Sequence, residues 1–447
     1  MTRHSSLRGF QMEDTTSQIS LKIFRDRRFV PLVTSFAEKS AEAFSLGREE
    51  VLKLTLACEE IFVYLCQAGK GAETITIEAS NGVYYTRVKF LFKAHGFSLR
   101  SFNLTASVSL DSLASLEEMG LLIASRSVEN FCITEDPQEG YALALIKEKS
   151  YPESTEIEAP KIKPIKIFTP KIPGPEGLKL FSRLVVAFYP ARFPPAFCFP
   201  GKIVDMVSSG EFNAAVAMDD GGQIGGGILW RWLGEKLVEF FGPYLFSQPP
   251  DTGMAEGLID ACIGQIAKTD AMGLVTRYST PELPKGYFES SGSVDFIQPD
   301  GPIRTSPVYY RQLHEDLGCQ VWAHPDLEGF LRIEYNRLFF AREIHLTRHE
   351  GEERSPYSVF APQFDRSHHQ VTLRPILEGN DAFNNLSQHV TVLRAEGLMN
   401  IFFEIDLGQA WQTSMTPALL GNGFRPRFIL PYGGEADVVV FQYQEGK

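Results

Sequence analysis

The residues able to do chemistry in this chain are carboxylates in apolar surroundings and glycines ahead of helices, the latter through backbone N–H groups. The stretch LACEEIFVYLCQAG, residues 56–69, sets Glu59 and Glu60 inside an apolar helical run, with Tyr64 four residues after the second. That spacing puts Glu60 and Tyr64 on one helix face. An acid so placed either hydrogen-bonds to backbone or to Tyr64, or belongs to a ligand site. A second candidate is PPDTGMAEGLIDACIGQIAKTDAMG, residues 249–273, a glycine turn running into an amphipathic helix with Leu258, Ile259, Cys262, Ile263 and Ile266 on its apolar side. The unpaired N–H groups and positive dipole end of such a helix suit a phosphate. Other signals carry less. His368-His369 lacks a third ligand at metal spacing and reads as a solvated loop. GGQIGGG, 221–227, precedes a strand rather than a helix, which excludes a dinucleotide loop.

Composition narrows the function classes. The 447 residues allow two or three domains, and 44% hydrophobic content gives each a core. No run reaches the ~18 apolar residues of a spanning helix, and the start lacks the apolar middle of a secretory signal. A cytoplasmic protein without a membrane association is expected. The cysteines at 58, 66, 132, 198, 262 and 319 show no CxxC pattern, so neither a disulfide framework nor a metal site is expected. A net charge of -12, from 55 acids against 43 bases, offers no basic face to nucleic acid and leaves proteins, nucleotides and other small molecules as partners.

The clearest boundary is YPESTEIEAPKIKPIKIFTPKIPGPEG, where prolines 152, 160, 164, 170, 173 and 175 exclude both a helix and a central strand. It predicts an extended connector over 151–178, between a first domain, 1–150, and units at 179–320 and 321–447. Within the first domain, 29–44 has helical periodicity, 48–68 is apolar nearly all round as a buried helix should be, 73–80 and 84–92 alternate as strands, 113–128 returns to a helix, and FCIT with YALALIKE closes the domain as strands. Helices segregated from an antiparallel sheet make a two-layer α+β sandwich. Beyond the connector, 212–232 predicts a hairpin around DDGG. KLVEFFGPYLF predicts a strand, GLVTRYST another, and PELPKGYFESSG a helix.

The helix around Glu60 resembles the first nucleotide-box helix of the GHKL, or histidine-kinase-like, ATPases of the anti-sigma-factor serine-kinase branch, and the resemblance spans roughly residues 25–148. It implies a Bergerat-type sandwich in which Glu60 positions the catalytic water, while an Asn four residues on holds Mg²⁺. Here Tyr64 stands in that place, and a phenol is a poor Mg²⁺ ligand. The adenine-reading turn falls on LFKAHGFSL, with Ala94 where the family has Asp and Gly96 kept. EEMGLLIAS keeps Gly120 of the phosphate box. Nucleotide contacts would then fall to Glu60, Gly96 and Gly120, and Tyr64 with Ala94 counts against Mg-ATP.

The order hairpin, strand, glycine turn, helix, strand, helix resembles the GNAT (GCN5-related N-acetyltransferase) fold. The resemblance implies acetyl-CoA or another acyl-CoA held by Gly253, Met254 and Ala255 at the helix start, with Pro250 replacing a donor. It implies Glu239 on the central strand as the base, facing a splayed cleft. The family's acid, a Tyr four residues before a Gly on the last helix, falls on Phe288 when counted back from Gly292, which leaves Tyr287 one position off as the candidate. An ordinary strand-face charge for Glu239 and a packed aromatic for Tyr287 stay open. The pattern then recurs. Gly379-Asn380-Asp381 replaces the glycine turn, Leu419 the Tyr, and Gly423-Phe424 ends the last helix, so a tandem of GNAT-like mixed-sheet domains is expected, the second more degenerate.

The expected whole is a multidomain α+β and α/β signalling regulator whose GNAT-like unit binds acyl-CoA, either to sense it or, as an N-acetyltransferase, to acylate an amine, with a protein partner or a second copy of itself. The alternatives are a non-enzymatic scaffold and an active serine kinase.

Overall fold

In the computed structural model the described residues are 18–68, 73–93, 103, 120–121, 123–124, 126–136, 140–154, 161–189, 192–249, 252–297, 303–348, 351, 353–365 and 368–445. The first unit begins with strand β1 (Gln18–Phe24), followed by helices α1 (Val30–Ala43) and α2 (Arg48–Ala68). Leu54, Ala57, Cys58, Ile61, Phe62 and Leu65 of α2 are buried, which is the i, i+3, i+4, i+7 stripe of a helix lying on a sheet. That sheet is β1, β2 (Thr74–Asn81), β3 (Tyr85–Phe92), β4 (Asn130–Asp136) and β5 (Gly140–Glu148), in the order β1-β2-β3-β5-β4 and antiparallel throughout. Thr86, Val88, Phe90 and Phe92 of β3 are buried at period two and meet the helices in one core. Helices α1 and α2 pack on this antiparallel sheet, as the α+β reading expects, and most of the predicted helix 113–128 lies outside the described residues.

The connector is less free than its prolines suggest. Ile165 sits in a hydrophobic core, its N–H bonded to Gln248, and Thr169–Lys171 forms strand β6. Pro170 is tolerated there because β6 has a neighbour on one side only.

Apart from one small pair, the remaining strands build one 12-stranded sheet. Helices α3 (Pro175–Phe188) and α4 (Pro200–Ser208) precede strands β7 (Asn213–Met218), β8 (Ile224–Trp232) and β9 (Leu237–Leu245). Helix α5 (Met254–Ile266) crosses from β9 to the parallel strand β10 (Gly273–Thr276), and β11 (Glu289–Phe296) and β12 (Arg304–Gln312) follow. A small parallel pair, β13 (Cys319–Ala323) and β14 (Arg342–Leu346), flanks helix α6 (Pro325–Leu338). Then come β15 (Val359–Asp365), β16 (Gln370–Leu377), α7 (Ala382–Ala395), β17 (Asn400–Asp406), the short helices α8 (Ala410–Thr413) and α9 (Thr416–Gly421), β18 (Phe424–Leu430) and β19 (Val438–Tyr443).

One five-strand pattern occurs twice in this sheet. The run β8-β9-β10-β12-β11 has the same order and the same strand senses as β15-β16-β17-β19-β18, with one parallel pair in each, β9 with β10 and β16 with β17. The runs join at β11 and β18, where Gly292 faces Phe428. Gly292 has φ +144, and a Cβ there would lie 2.7 Å from both the Arg427 carbonyl and the Phe428 Cβ, so the seam needs a residue without a side chain.

The first unit docks on both halves of the large sheet. Asn103 donates to the Ser358 carbonyl at 2.7 Å and accepts the Phe360 N–H at 3.1 Å, while Lys202 pairs with Glu148 at 2.5 Å.

Candidate functional site

The site is organised by the parting of two strands. β9 and β10 pair at Leu237 with Gly273, Val238 with Leu274 and Glu239 with Val275, and then separate. Past that point β9 carries a bulge, in which the register against β8 shifts between Gly227, opposite Tyr244, and Leu229, opposite Phe241. Pro243, inside the bulge, has no N–H to offer. Two residues of β9 beyond the separation already have backbone partners. Thr280 donates to the Pro243 carbonyl at 2.8 Å, and the Tyr189 hydroxyl donates to the Leu245 carbonyl at 2.9 Å while accepting the Leu245 N–H at 2.7 Å. Tyr189→Phe leaves both Leu245 groups without that partner. A loss of about 1–3 kcal/mol is expected, read as an earlier midpoint in urea.

At the point of separation lies a buried charge network. Glu239 has a fully buried side chain and bonds to Arg277 at 2.6 Å and to its cross-strand partner Arg231 at 2.9 Å. Arg277 reaches on to Glu404 of β17 at 3.5 Å, and Glu404 holds Arg374 of β16 at 2.6 Å. The sheet is thus curved enough to bring its two parallel pairs toward one another, and His368 packs against both Phe193 and Tyr278 from across the gap. Burial opposes the Glu239 charge, but the two guanidiniums outweigh it and hold the carboxyl down to about 2. A carboxylate so stabilised is a weak proton acceptor at neutral pH. Of the two readings open for Glu239, base and strand charge, the geometry favours an ion-pair role.

Helix α5 begins at Gly253, whose φ of +66 is left-handed and whose Cβ position faces open space. Met254 and Ala255 are buried and can offer a ligand only backbone N–H groups. The glycines of β8 make room for what packs on them. A Cβ on Gly225 would lie 3.0 Å from the Met254 methyl, and one on Gly227 would lie 2.5 Å from the Phe181 ring.

The predicted helix PELPKGYFESSG is not formed. Residues 281–288 are turns and β11 starts at Glu289, because Pro281 and Pro284 withdraw N–H donors and Gly286 takes φ +81. The count back from Gly292 thereby loses its basis, since that glycine lies in a strand. Tyr287 instead packs its ring beneath the Arg311 guanidinium at 5.2 Å, while Phe288 packs on Phe240 at 5.1 Å.

In the first unit, Glu60 and Gly120 are brought together. A Cβ on Gly120 would lie 2.3 Å from Glu60 Oε2, so the carboxylate packs against that backbone. Burial, then the neighbouring Glu59, raises the Glu60 carboxyl above its ordinary range. Tyr64 is buried in the helix–sheet core. Gly96, Ala94 and Pro250 lie outside the described residues.

Sequence reasoning missed Arg231, Arg277, Arg374, Glu404 and Tyr189. A signal was available for the charged four, because each interrupts an apolar strand context (LWRW, LVTRYS, TLRPI, FFEID), and charges in such places need partners.

No family model matches the chain, and no curated protein sequence matches it. Solved structures similar to part of it include a GNAT-superfamily phosphinothricin acetyltransferase from Sinorhizobium meliloti in complex with AcCoA, at 16% identity over 33% of this chain and 89% of that one, with a TM-score of 0.28. An aminoglycoside 6'-acetyltransferase type Ii matches at 13% identity over 33% of this chain and 97% of that one, TM-score 0.27. The GNAT-family N-acetyltransferase YhbS from Escherichia coli, in complex with CoA, matches at 14% identity over 34% of this chain and 86% of that one, TM-score 0.24. The TM-scores are low, and the strand order and register described above carry what can be said of the fold. No described helix is long and apolar enough to cross a membrane.

Proposed function

We propose that the chain is an acyl-CoA-binding regulator built on a duplicated GNAT-like sheet, in which residues 165–312 hold the ligand and the second five-strand run is a supporting copy. The observation that carries this reading is the parting of β9 from β10 beyond Glu239 and Val275, next to the open, left-handed start of α5 at Gly253. A helix start of that kind suits a diphosphate. Binding is favoured over turnover because Glu239 is held as an anion by two arginines and Tyr287 stands in a turn under Arg311. In the same reading the N-terminal sandwich, a degenerate anti-sigma-type unit, recognises a partner protein and does not hydrolyse ATP. Supporting this are Tyr64 at the position of the metal-binding amide and Glu60 packed on Gly120.

The test is a thermal-shift titration with acetyl-CoA, CoA, pantetheine and Mg-ATP, since a ligand that binds only the folded state stabilises it by ~2.7 kcal/mol at one hundred times its Kd. Acetyl-CoA and CoA are expected to raise the midpoint, and pantetheine, which lacks the diphosphate, and Mg-ATP are expected not to. Gly253→Val, a β-branched side chain forced into φ > 0, is expected to weaken CoA binding at least tenfold. A second reading, a scaffold that binds no cofactor, is favoured by the Tyr189 hydroxyl lying on the edge of β9. Absence of any shift with CoA or acetyl-CoA would select it.

A further inference from the structure

A cavity of about 500 Å³ lies beside the β9–β10 gap, between the turns that replace the predicted last helix and the start of β12. Its lining includes Arg192, Lys285 and Arg304 with Ser279, Thr305 and Tyr309, and among the described residues that line it there is no carboxylate. In a chain of net charge -12 this is a local reversal of sign. Among the described residues, neither guanidinium has an ion pair or a side-chain hydrogen bond. Desolvation, and then the neighbouring Arg192, holds the Arg304 guanidinium below its ordinary range, as expected of two like charges sharing a partly dry pocket.

We propose that this cavity binds a small organic anion, its carboxylate or phosphate gripped between Arg192 and Arg304 and its remainder resting on Phe288 and Tyr309. Three lines of reasoning support it. Paired guanidiniums present fork-shaped donors that match carboxylate and phosphate oxygens. The volume lies within the range of small-molecule sites, ~300–1,000 Å³, and the mixture of apolar walls with a few convergent polar groups is typical of them. Two cations converging without a described counter-charge repel, and an anion between them removes that repulsion. The position follows from the sequence. Pro281 and Pro284 prevent a helix from filling this space, and Thr280 fixes the loop to Pro243 at 2.8 Å.

The inference is independent of acyl-CoA binding, and the experiment separates the two. Isothermal titration of the full chain at fixed ionic strength would use inorganic phosphate and, in a second arm, succinate, against the wild type and Arg304→Gln and Arg192→Gln. Saturable binding of at least one probe to the wild type is expected, weakened at least tenfold in either variant, with acetyl-CoA affinity unchanged. The unliganded variants should melt no lower than wild type, because each loses a repulsion and no partner. Phosphate binding alone assigns a phosphate ester, and succinate binding alone a carboxylate ligand. Failure of both probes to saturate, equal binding by wild type and variants, or a loss confined to acetyl-CoA would overturn the proposal.

Discussion

Glu239→Ala is expected to destabilise the folded chain by about 3–5 kcal/mol, the cost of leaving buried charges without their counter-ion. Arg277 and Arg231 would lose the anion at 2.6 and 2.9 Å, and Arg277 would keep only the longer contact to Glu404 at 3.5 Å. The measurement is guanidinium-induced unfolding followed by far-UV circular dichroism. The same pair predicts an acid limb. The Glu239 carboxyl sits at about 2 in the folded chain against a reference value of 4.5. Its contribution is therefore complete above about pH 4.5 and is lost as pH falls toward 2. At ~1.36 kcal/mol per pH unit the gap is worth on the order of 3 kcal/mol. Glu239→Gln removes that limb, so wild type and variant should converge in stability as pH falls through this window. Divergence there would refute the ion-pair role, as would a variant that keeps wild-type stability and loses an acyl-transfer activity.

Gly292→Val is expected to cost about 3 kcal/mol or more and to split a single unfolding transition into two. A positive φ of +144 is poorly accessible to a β-branched residue, and strain of this kind costs ~1–3 kcal/mol. To that is added the clash at 2.7 Å with Arg427 and Phe428 on the facing strand. Because this register position joins the two five-strand runs, the damage is concentrated where one half holds the other. Gly222 supplies the control. It also has positive φ, at +83, but open space at its Cβ position, so Gly222→Ala should show strain without loss of cooperativity. In a background where Trp322 and Trp411 are replaced by Phe, the fluorescence of Trp230 and Trp232 reports the first half, and it should coincide with far-UV dichroism for the parent and control and separate from it for the Gly292 variant.

What could be read from the sequence was local. The alternation of β2 and β3, the DDGG hairpin and the α5 start all show in residue spacing, and each was placed correctly, whereas α2, read as apolar nearly all round, leaves Leu52 and Leu56 exposed. The tandem pattern was visible for the same reason, since β16, α7 and β17 repeat the periodicities of β9, α5 and β10. What failed depends on distance. Proline signals over 281–284 were weaker than the expectation of a family helix, so a turn was read as a helix. Base and strand-face charge both stayed open for Glu239 because its partners come from β8, from the segment after β10 and, at one remove, from β17, 165 residues further along the chain. Spacing along a sequence carries no information on such meetings, although an arginine in an apolar strand announces that one must occur. The Tyr189 bonds were hidden similarly, for nothing in a helix-terminal tyrosine points to the backbone of Leu245.

A sheet of this width must end somewhere, and both of its borders are ill suited to accept a further strand. On one side β6 spans three residues with Pro170 in the middle, and on the other β15 carries Pro362, while its first residue, Val359, is buried in the N-terminal core. Runaway growth by edge pairing, the usual hazard of long unpaired borders, is thereby discouraged. The strand edges that stay open to pairing then belong to the smaller sheets, as at β1, which borders the five-stranded sheet.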